Sequence, residues 1–392
     1  MNFLGEKSTR IYLLFLCLYA VSYMGNAVYG TFMPIYLKSI GLSQTSIATL
    51  LSFGPLVAIL AQPLWGSIGD RAESKNRVLQ LLALGSAVSI LLLPVSNQYL
   101  YLLLIICLVT FFQTSIYPLN DAITLEHLAR TKWNFGPIRL AGTIGFALMS
   151  VAFGIVARKN INSIFIVYSV VMLLTLVICT QMPKIKGHQS SKNKVSLLVL
   201  LKNRKLMLFI LLNFIVQITL GYYYAFFPIY FNQLGADNSL LGWSMLFSSI
   251  SEVPFLLFGH KIIERFGIPV VLVSTAFFAG LRWLFCYFVH NPYLVLPIQM
   301  LHGLIFIVLS VTLAIYINQE VPKELKASGQ TMNGLISLGL ARIIGSMAGG
   351  IASEYVGMRE VFLYNAMVAF ITFVVFIFIF LKEARAVQKA TV

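Results

Sequence analysis

The feature of this sequence that most restricts its fold is a succession of twelve apolar stretches separated by polar connections. Each is close to the ~20 residues that an α-helix needs to cross the hydrocarbon core of a bilayer. Only 10% of the residues are charged, whereas a soluble domain carries about 25%. The sequence therefore predicts an all-α membrane protein with twelve transmembrane helices. The stretches cover residues 11–37, 45–69, 77–95, 98–122, 136–157, 162–182, 206–232, 239–262, 268–289, 292–317, 327–353 and 360–381.

The basic residues indicate how these helices are oriented. With the N-terminus placed inside, 21 Lys and Arg residues fall in the inner segments and 4 in the outer ones. Cytoplasmic segments carry the excess of basic residues, so we expect both termini and the central loop on the cytoplasmic side of the cell (inner) membrane. The net charge of +15 then reflects membrane orientation, and we expect no nucleic-acid partner. The inner set is Lys7, Arg10, Arg71, Lys75, Arg77, Arg130, Lys132, Lys184, Lys186, Lys192, Lys194, Lys202, Arg204, Lys205, Lys261, Arg265, Lys323, Lys326, Lys382, Arg385 and Lys389, and the outer set is Lys38, Arg158, Lys159 and Arg359.

The chain also contains an internal repeat. FMPIYLKSIG at residues 32–41 is matched by FFPIYFNQLG at residues 226–235, and the same offset brings GSIGDR at 66–71 onto HKIIER at 260–265. Two copies of six spans that enter the membrane from the same side predict parallel halves. The expected organisation is an N-terminal half at residues 1–182, a basic cytoplasmic linker at 183–205 and a C-terminal half at 206–392.

The loop after the second span, GSIGDRAESKNR at residues 66–77, resembles the Gly-x-x-x-Asp-Arg loop of the major facilitator superfamily of transporters. The resemblance extends over nearly the whole chain and implies the fold of that superfamily, two parallel six-helix halves. It also implies a gating role for Gly66, Asp70 and Arg71. A plain basic loop is the alternative, since the usual Gly-Arg-Lys is replaced by ESKNR at residues 73–77.

Shorter motifs resemble phenylpropionate permease-like proteins and, more distantly, lactose permease. By this resemblance Asp121 and Arg139 hold the solute, while Arg282 and His302 belong to a proton-coupling network. The lactose permease carries its proton on a glutamate three residues after the histidine, and this chain has Ile305 there. The motifs are PLNDA (118–122), FGPIRLAGTIGF (135–146), SEVP (251–254), LRWL (281–284), QMLHG (299–303) and residues 316–330.

Four ionisable residues of the C-terminal half lie deep within their spans. At a helical rise of ~1.5 Å per residue, Glu252, Arg282, His302 and Arg342 lie ~15–22 Å from the span ends, in the middle of a hydrocarbon core ~30 Å thick. Charges at that depth are costly and mark functional sites. We interpret Glu252 as the protonatable coupling acid and Arg282 as its partner; a static ion pair between two helices is the alternative. Arg342 either meets an anionic group of the solute or donates to backbone carbonyls.

The hairpin at residues 117–142 brings an acid and a base close to one membrane face. Asp121 ends one apolar stretch and Arg139 begins the next, with Glu126 in a polar turn between them. Pro118 weakens the helix just before the acid, and interrupted helices that carry charges suit a solute site. We predict that Asp121 and Arg139 bind the solute, with a simple interhelical ion pair as the alternative.

Polar and aromatic side chains extend this predicted site. Asn120 adds donor and acceptor capacity beside the acid. Tyr23 and Asn26 belong to a stripe with helical spacing on the first span, and Tyr223 lies on the seventh span, which the repeat aligns with the first. An aromatic wall with a few polar groups suits a ring-bearing solute, and ordinary helix packing is the alternative.

Together these features favour a secondary active transporter, a proton-coupled symporter that takes up a small organic solute by alternating access. The resemblance suggests an aromatic carboxylate, with a sugar or nucleoside, or an efflux transporter on the same fold, as alternatives. Na+ is the alternative coupling ion. No phosphate loop, metal-ligand cluster or nucleophile–base pair is visible, so we expect no cofactor, no metal and no enzymatic activity. The expected partners are the solute, the coupling ion and the lipid bilayer, with the protein a monomer.

Overall fold

The computed structural model describes residues 2–129, 131, 133–186, 200, 202–322 and 325–390. Within them, twelve helices are long and apolar enough to cross a membrane, which confirms the predicted number of spans. The basic residues Arg130, Lys132, Lys192, Lys194 and Lys323, and residues 187–199 and 201 of the predicted linker, lie outside the described residues.

The twelve spans are numbered α1 to α12 in chain order. In the first six, α1 covers Asn2–Ser39, α2 Gln44–Arg71, α3 Lys75–Leu92, α4 Tyr99–Gln113 and Ile116–Leu128, α5 Phe135–Lys159, and α6 Ser163–Gln181. In the last six, α7 covers Arg204–Gln233, α8 Asn238–Ile250 and Val253–Phe266, α9 Ile268–Phe288, α10 Pro292–Leu294, Val295–Gln299, Met300–Leu304 and Phe306–Glu320, α11 Lys326–Asn333, Gly334–Leu340 and Ala341–Val356, and α12 Met358–Ala390.

Four of these spans are interrupted or change their helical geometry. α4 breaks just before Pro118 and α8 breaks just before Pro254, because proline cannot donate the backbone hydrogen bond that a continuous helix requires. α10 contains the 3₁₀ segment Met300–Leu304, and α11 contains the π-helical segment Gly334–Leu340. Such departures from α-helix inside a longer helix often mark functional positions.

The first compact unit comprises Met1–Lys192 and Ala236–Leu246. In it α1 crosses α5 at Gly145, where a Cβ atom would lie 2.2 Å from the carbonyl oxygen of Ala20. Small residues permit this close approach of helix backbones, which is a main source of helix association in membranes. The crossing places the side chains of α1 directly beside the start of α5.

The N-terminal end of α8 belongs to the first unit as well. A Cβ atom at Gly242 would lie 2.2 Å from the carbonyl oxygen of Ser150, on α5. Nearby, Asp237 pairs with Arg158 at 3.0 Å, and the Asn238 side chain donates to the carbonyl of Ala157 at 3.0 Å. Backbone packing and polar contacts therefore both attach this segment to α5.

The described start of the predicted linker is held by α3. The Asn76 amide donates to the carbonyl of Pro183 at 3.2 Å and accepts from the N–H of Ile185 at 3.0 Å. The backbone N–H of Lys75 donates to the carbonyl of Ile185 at 2.8 Å. Residues 183–185 are thus part of the first unit and are bound at the N-terminal end of α3.

The second unit comprises Asn193–Gly235 and Phe247–Val392. In it α7 crosses α11 at Gly345, where a Cβ atom would lie 2.0 Å from the carbonyl oxygen of Ile218. The helix ends that the sequence repeat aligns also share a conformation, because Gly41 after α1 and Gly235 after α7 have φ of 87° and 91°. Glycine adopts this left-handed conformation without the steric cost that other residues carry.

Candidate functional site

The acid of the first unit is held by α1. Asp121 lies on the second segment of α4, and its carboxylate accepts a hydrogen bond of 2.5 Å from the hydroxyl of Tyr19. Tyr19 is fully buried, and a buried tyrosine hydroxyl needs a hydrogen-bond partner. The carboxylate of Asp121 is that partner. The break in α4 turns this segment toward α1 and brings the two side chains together.

The base of the first unit is not paired with that acid. The guanidinium of Arg139 lies 4.4 Å above the ring of Tyr23, and within the described part of the chain it forms no ion pair with Asp121. The rings of Tyr19 and Tyr23 stack with centroids 6.4 Å apart. The stacked rings of Tyr19 and Tyr23 thus lie between Asp121 and Arg139. The carboxylate and the guanidinium are not in direct contact.

The two predicted asparagines have different surroundings. Asn120 is buried and donates to the hydroxyl of Ser22 at 3.0 Å, while its side-chain oxygen has no hydrogen-bond partner in the described structure. Asn26 is only partly buried on α1, three residues beyond Tyr23. Asn120 therefore links α4 to α1 and keeps one unused acceptor.

The predicted gating loop contains a lysine that we did not single out from the sequence. Asp70 pairs with Lys75 at 3.5 Å, and Lys75 also pairs with Glu126 at 3.1 Å. Arg71 is exposed. The lysine thus joins the N-terminal end of α3 to the C-terminal ends of α2 and α4.

The same contact explains a difference from the predicted turn. We expected Glu126 in a polar turn after a span ending at residue 122, but the helix continues to Leu128. The Lys75 ammonium supplies the opposite charge that Glu126 needs on a helix close to the membrane. The apolar pattern of α4 alone does not reveal this partner.

The second unit holds a buried arginine among three polar neighbours. Arg282 on α9 is fully buried, and one of its terminal nitrogens lies 2.8 Å from Nδ1 of His302 on α10. The other donates to the side-chain oxygen of Gln299, which also accepts a bond of 3.1 Å from the hydroxyl of Tyr223. The guanidinium lies 4.1 Å from the centroid of the Tyr223 ring. These contacts fix the arginine in one position.

His302 lies between this arginine and the predicted coupling acid. Its Nε2 is 3.6 Å from a carboxylate oxygen of Glu252 and 3.3 Å from the hydroxyl of Tyr224. Because a guanidinium has only donors, Nδ1 must accept from Arg282, which leaves the ring proton on Nε2. The imidazole is thus in contact with both the predicted coupling acid and the arginine that we predict as its partner.

Arg342 on α11 is the second cation of this unit. Its guanidinium lies 4.6 Å from the ring centroid of Tyr224, and its buried Nε has no hydrogen-bond partner in the described structure. The two units share a cation–π contact: Arg139 lies over a tyrosine of α1, and Arg342 lies over a tyrosine of α7. Each also precedes by three residues a glycine packed against that helix, Gly142 or Gly345.

Two residues of these contacts, Gln299 in the second unit and Lys75 in the first, were not predicted as site residues. Gln299 lies one helical turn before His302 and is a buried amide in an apolar span, which is a signal that the sequence carries. Tyr224 and Tyr223 are neighbours, and the sequence does not show which of them meets which arginine. Among the described residues, no group of three or more His, Cys, Asp and Glu side chains is placed to hold a metal ion.

The chain is similar to known transporters over most of its length. The family model described as "MFS_1 like family" matches residues 13–364. The Bacillus subtilis protein named "Uncharacterized transporter YwbF" is 25% identical over 349 residues, 88% of this chain and 87% of that protein. The Escherichia coli protein named "Probable 3-phenylpropionic acid transporter" is 25% identical over 360 residues, 87% of this chain and 91% of that protein. The solved structure of the nucleoside transporter NupG has a TM-score of 0.80 at 19% identity, covering 94% of this chain and 99% of that one.

Proposed function

The chain belongs to the MFS_1-like family of transporters, and from this membership we propose that it is a proton-coupled symporter for a small aromatic carboxylate. It is a multi-pass membrane protein with the twelve-span major facilitator fold. One observation carries the coupling proposal: Glu252 lies in the interior of its span, 3.6 Å from an imidazole that is itself held by a buried arginine. The name of the phenylpropionate relative supports the solute class.

The hydrogen bonds around His302 support Glu252 as the group that takes up the proton. An imidazolium at His302 would point its Nδ1–H at the guanidinium of Arg282, where two donors would face each other. The histidine therefore remains neutral and orients its Nε2–H toward Glu252. We propose that the proton is carried by the carboxyl group and that Arg282 and His302 hold the network in place.

The charges of the second unit support an anionic solute. Glu252 offsets only one of the two cations, Arg282 and Arg342, so this buried cluster is net positive. Protonation of Glu252 removes its negative charge and leaves both guanidinium groups without an opposite charge, which strengthens their attraction for a carboxylate. In the proposed cycle, proton uptake would thus precede solute uptake.

The first unit has proposed solute contacts of its own. Arg139 has no carboxylate partner in the described structure and is free to meet an anion, while the ring of Tyr23 beneath it offers an aromatic surface. We propose that Asp121, Arg139, Tyr23 and Asn26 contact the solute directly. Asn120 supports Asp121 from its buried position on the same helix.

Two further predicted residues of the second unit also enter the proposal. Arg342, which rests on Tyr224 with an unpartnered Nε, is the anion partner that we propose there. Tyr223 is buried under Arg282 and bonded to Gln299. Its contact with solute would therefore require the cluster to open during the cycle.

The distribution of basic residues supports a proposal for the orientation in the membrane and for the gating loop. We propose that both termini lie on the cytoplasmic side of the inner membrane, and that the loop carrying Gly66, Asp70 and Arg71 controls opening on that side. The pairing of Asp70 with Lys75 supports this role, because an ion pair between helix ends can break and re-form as they move. We propose that the transporter acts as a monomer.

The test of coupling uses purified protein in proteoliposomes with an alkaline interior and labelled 3-phenylpropionate outside. We expect accumulation above equilibrium that disappears with a protonophore, and a loss of at least ~100-fold in Glu252→Gln. The matched control is Glu264→Gln, an exposed glutamate on the same helix that pairs with His260, which should accumulate solute normally. Gradient-driven accumulation that persists in Glu252→Gln would show that another group carries the proton. Accumulation that is driven by a sodium gradient instead would show that Na+, and not H+, is the coupling ion.

A sugar or nucleoside is the second candidate, because the separate acid and base of the first unit also suit a solute rich in hydroxyl groups. A thermal-shift screen of aromatic acids, sugars and nucleosides distinguishes the classes. Stabilisation by aromatic acids that is lost in Arg139→Gln supports the carboxylate, whereas stabilisation by nucleosides alone rejects it. Solute uptake into right-side-out vesicles, rather than extrusion, separates import from efflux.

A further inference from the structure

Two interrupted helices of the second unit meet at one point. α8 is interrupted at Ser251 and Glu252, and α10 takes its 3₁₀ form at Met300–Leu304. The backbone N–H of Gly303 donates to the hydroxyl oxygen of Ser251 at 2.8 Å, and that hydroxyl donates to the carbonyl of Ser248 at 2.5 Å. A side chain of α8 therefore bonds a backbone donor of the neighbouring helix.

The backbones are in direct contact at this point. A Cβ atom at Gly303 would lie 1.8 Å from the carbonyl oxygen of Ser251 and 2.7 Å from the backbone nitrogen of Glu252. The first distance is the shortest of its kind at any glycine in the described structure. Because both partners are backbone atoms, no side-chain rotation can make room for a larger residue.

The residues next in sequence to this contact are the two that face each other in the proposed coupling site. Glu252 follows Ser251, and His302 precedes Gly303, with 3.6 Å between carboxylate and imidazole. We propose that Ser251 and Gly303 are positioning residues, which set the distance between Glu252 and His302 and thereby the proton coupling. This inference rests on the proposed function, since it assigns a role in the same cycle.

Other ionisable groups around this pair come from three more helices. Tyr224 of α7 bonds His302 directly, Arg282 of α9 lies against its other nitrogen, and Arg342 of α11 is close enough to act on it electrostatically. A displacement of α10 against α8 changes the distance of Glu252 from His302 while these neighbours remain on their own helices. A small change at the crossing of α8 and α10 would thus alter the electrostatic interactions of Glu252 with the whole cluster.

The size of the displacement can be estimated for Gly303→Ala. A carbon atom approaches a carbonyl oxygen to roughly 3.3 Å, so the helices must part by roughly 1.5 Å to admit the methyl group. The carboxylate and the imidazole would then be roughly 5 Å apart instead of 3.6 Å, which weakens the electrostatic interaction between them. A misplacement of about 1 Å in a reacting geometry costs about 100-fold in rate.

The decisive measurement compares two activities of the same proteoliposomes, using 3-phenylpropionate as the probe. Accumulation driven by a pH gradient requires net proton movement, whereas exchange of labelled for unlabelled solute at equal pH does not. We expect Gly303→Ala to lower accumulation by about 100-fold while exchange stays within about tenfold of the parent protein. The control is Gly259→Ala, also on α8, where a new Cβ atom meets only the Phe255 ring, at 3.1 Å. It should preserve both activities.

Two variants of the serine keep the test informative if Gly303→Ala does not fold. Ser251→Ala adds no bulk but removes the acceptor of the Gly303 N–H, and Ser251→Thr restores a hydroxyl. The readout is the infrared signal of the Glu252 carboxyl during a pH titration, with Glu252→Gln as the blank. We expect Ser251→Ala to move the midpoint of that signal by about one pH unit and Ser251→Thr to return it.

The outcomes separate this inference from the proposed function. Absence of proton-driven accumulation in the parent protein rejects the proposed function and this inference with it. Proton-driven accumulation in the parent protein, together with an unchanged titration midpoint and an unchanged ratio of accumulation to exchange in the variants, rejects only the positioning role. A parallel fall of accumulation and exchange in all of these variants also rejects it, because that is the result of a purely structural contact.

Discussion

Replacement of Lys75 tests whether the charge cluster formed by Lys75, Asp70 and Glu126 stabilises the fold. The lysine side chain is 9% exposed and contacts Glu126, which is 19% exposed, and Asp70, which is 50% exposed. Removal of one partner from a fully buried ion pair costs ~3–5 kcal/mol, and a pair exposed to solvent contributes ~0.2–1 kcal/mol. The pair with Glu126 lies nearer the first case and the pair with Asp70 nearer the second.

We therefore expect Lys75→Met to destabilise the protein by about 2–3 kcal/mol, because Glu126 keeps a little solvent but loses its cation. Glu126→Gln should cost about 1–2 kcal/mol, since Lys75 retains Asp70. Asp70→Asn should cost less than about 1 kcal/mol. The double variant Lys75→Met with Glu126→Gln should be more stable than the sum of the two changes predicts, because the less exposed carboxylate is removed together with the lysine and only the half-exposed Asp70 loses its contact.

The assay is equilibrium or thermal unfolding in a mild detergent, at low and high salt. For a unit of this size, Lys75→Met should lower the melting temperature by roughly 5–10 °C. The control is Glu73→Gln, whose pair with Arg77 is exposed and should be worth less than about 0.5 kcal/mol. An Asp70→Asn variant as unstable as Glu126→Gln would refute the reasoning, because the effect would then not follow burial.

Two further outcomes test other parts of the structure. Gly145→Ala should destabilise the first unit by ~1–3 kcal/mol, because the added methyl group collides with the backbone of Ala20. The control is Gly136→Ala, which has open space around it and should be neutral in the same unfolding assay. Tyr19→Phe should weaken uptake of 3-phenylpropionate by about tenfold, since a hydrogen bond to a charged group is worth ~1.5–3 kcal/mol; an unchanged uptake rate would show that the bond to Asp121 serves packing alone.

The twelve spans were predictable because each requirement of a membrane helix is local. Length and hydropathy alone decide whether a segment can cross, and the structure has twelve such helices. The interruptions were partly predictable too, since Pro118 and Pro254 mark two of them. The end of α4 was not, because the helix continues through Glu126, whose partner Lys75 is 51 residues away in sequence.

The candidate site shows the same limit. Helical rise placed Glu252, Arg282 and His302 at similar depth, but depth does not determine which atoms meet. The imidazole lies between the acid and the base because α8 and α10 are both interrupted where they cross. Helical periodicity assumes uninterrupted helices, and it therefore cannot predict the contact between Ser251 and Gly303.

The attachment of the N-terminal end of α8 to α5 has a consequence for dissecting the protein. A cut in the linker at 183–205 would separate the two sequence repeats, but the resulting N-terminal fragment would lack Ala236–Leu246, which belongs to its compact unit. The backbone surface of α5 at Gly154 and Ser150 would then be bare toward lipid. Fragment complementation should succeed only when both pieces are made together, because one fragment carries a component that the other needs to complete its fold.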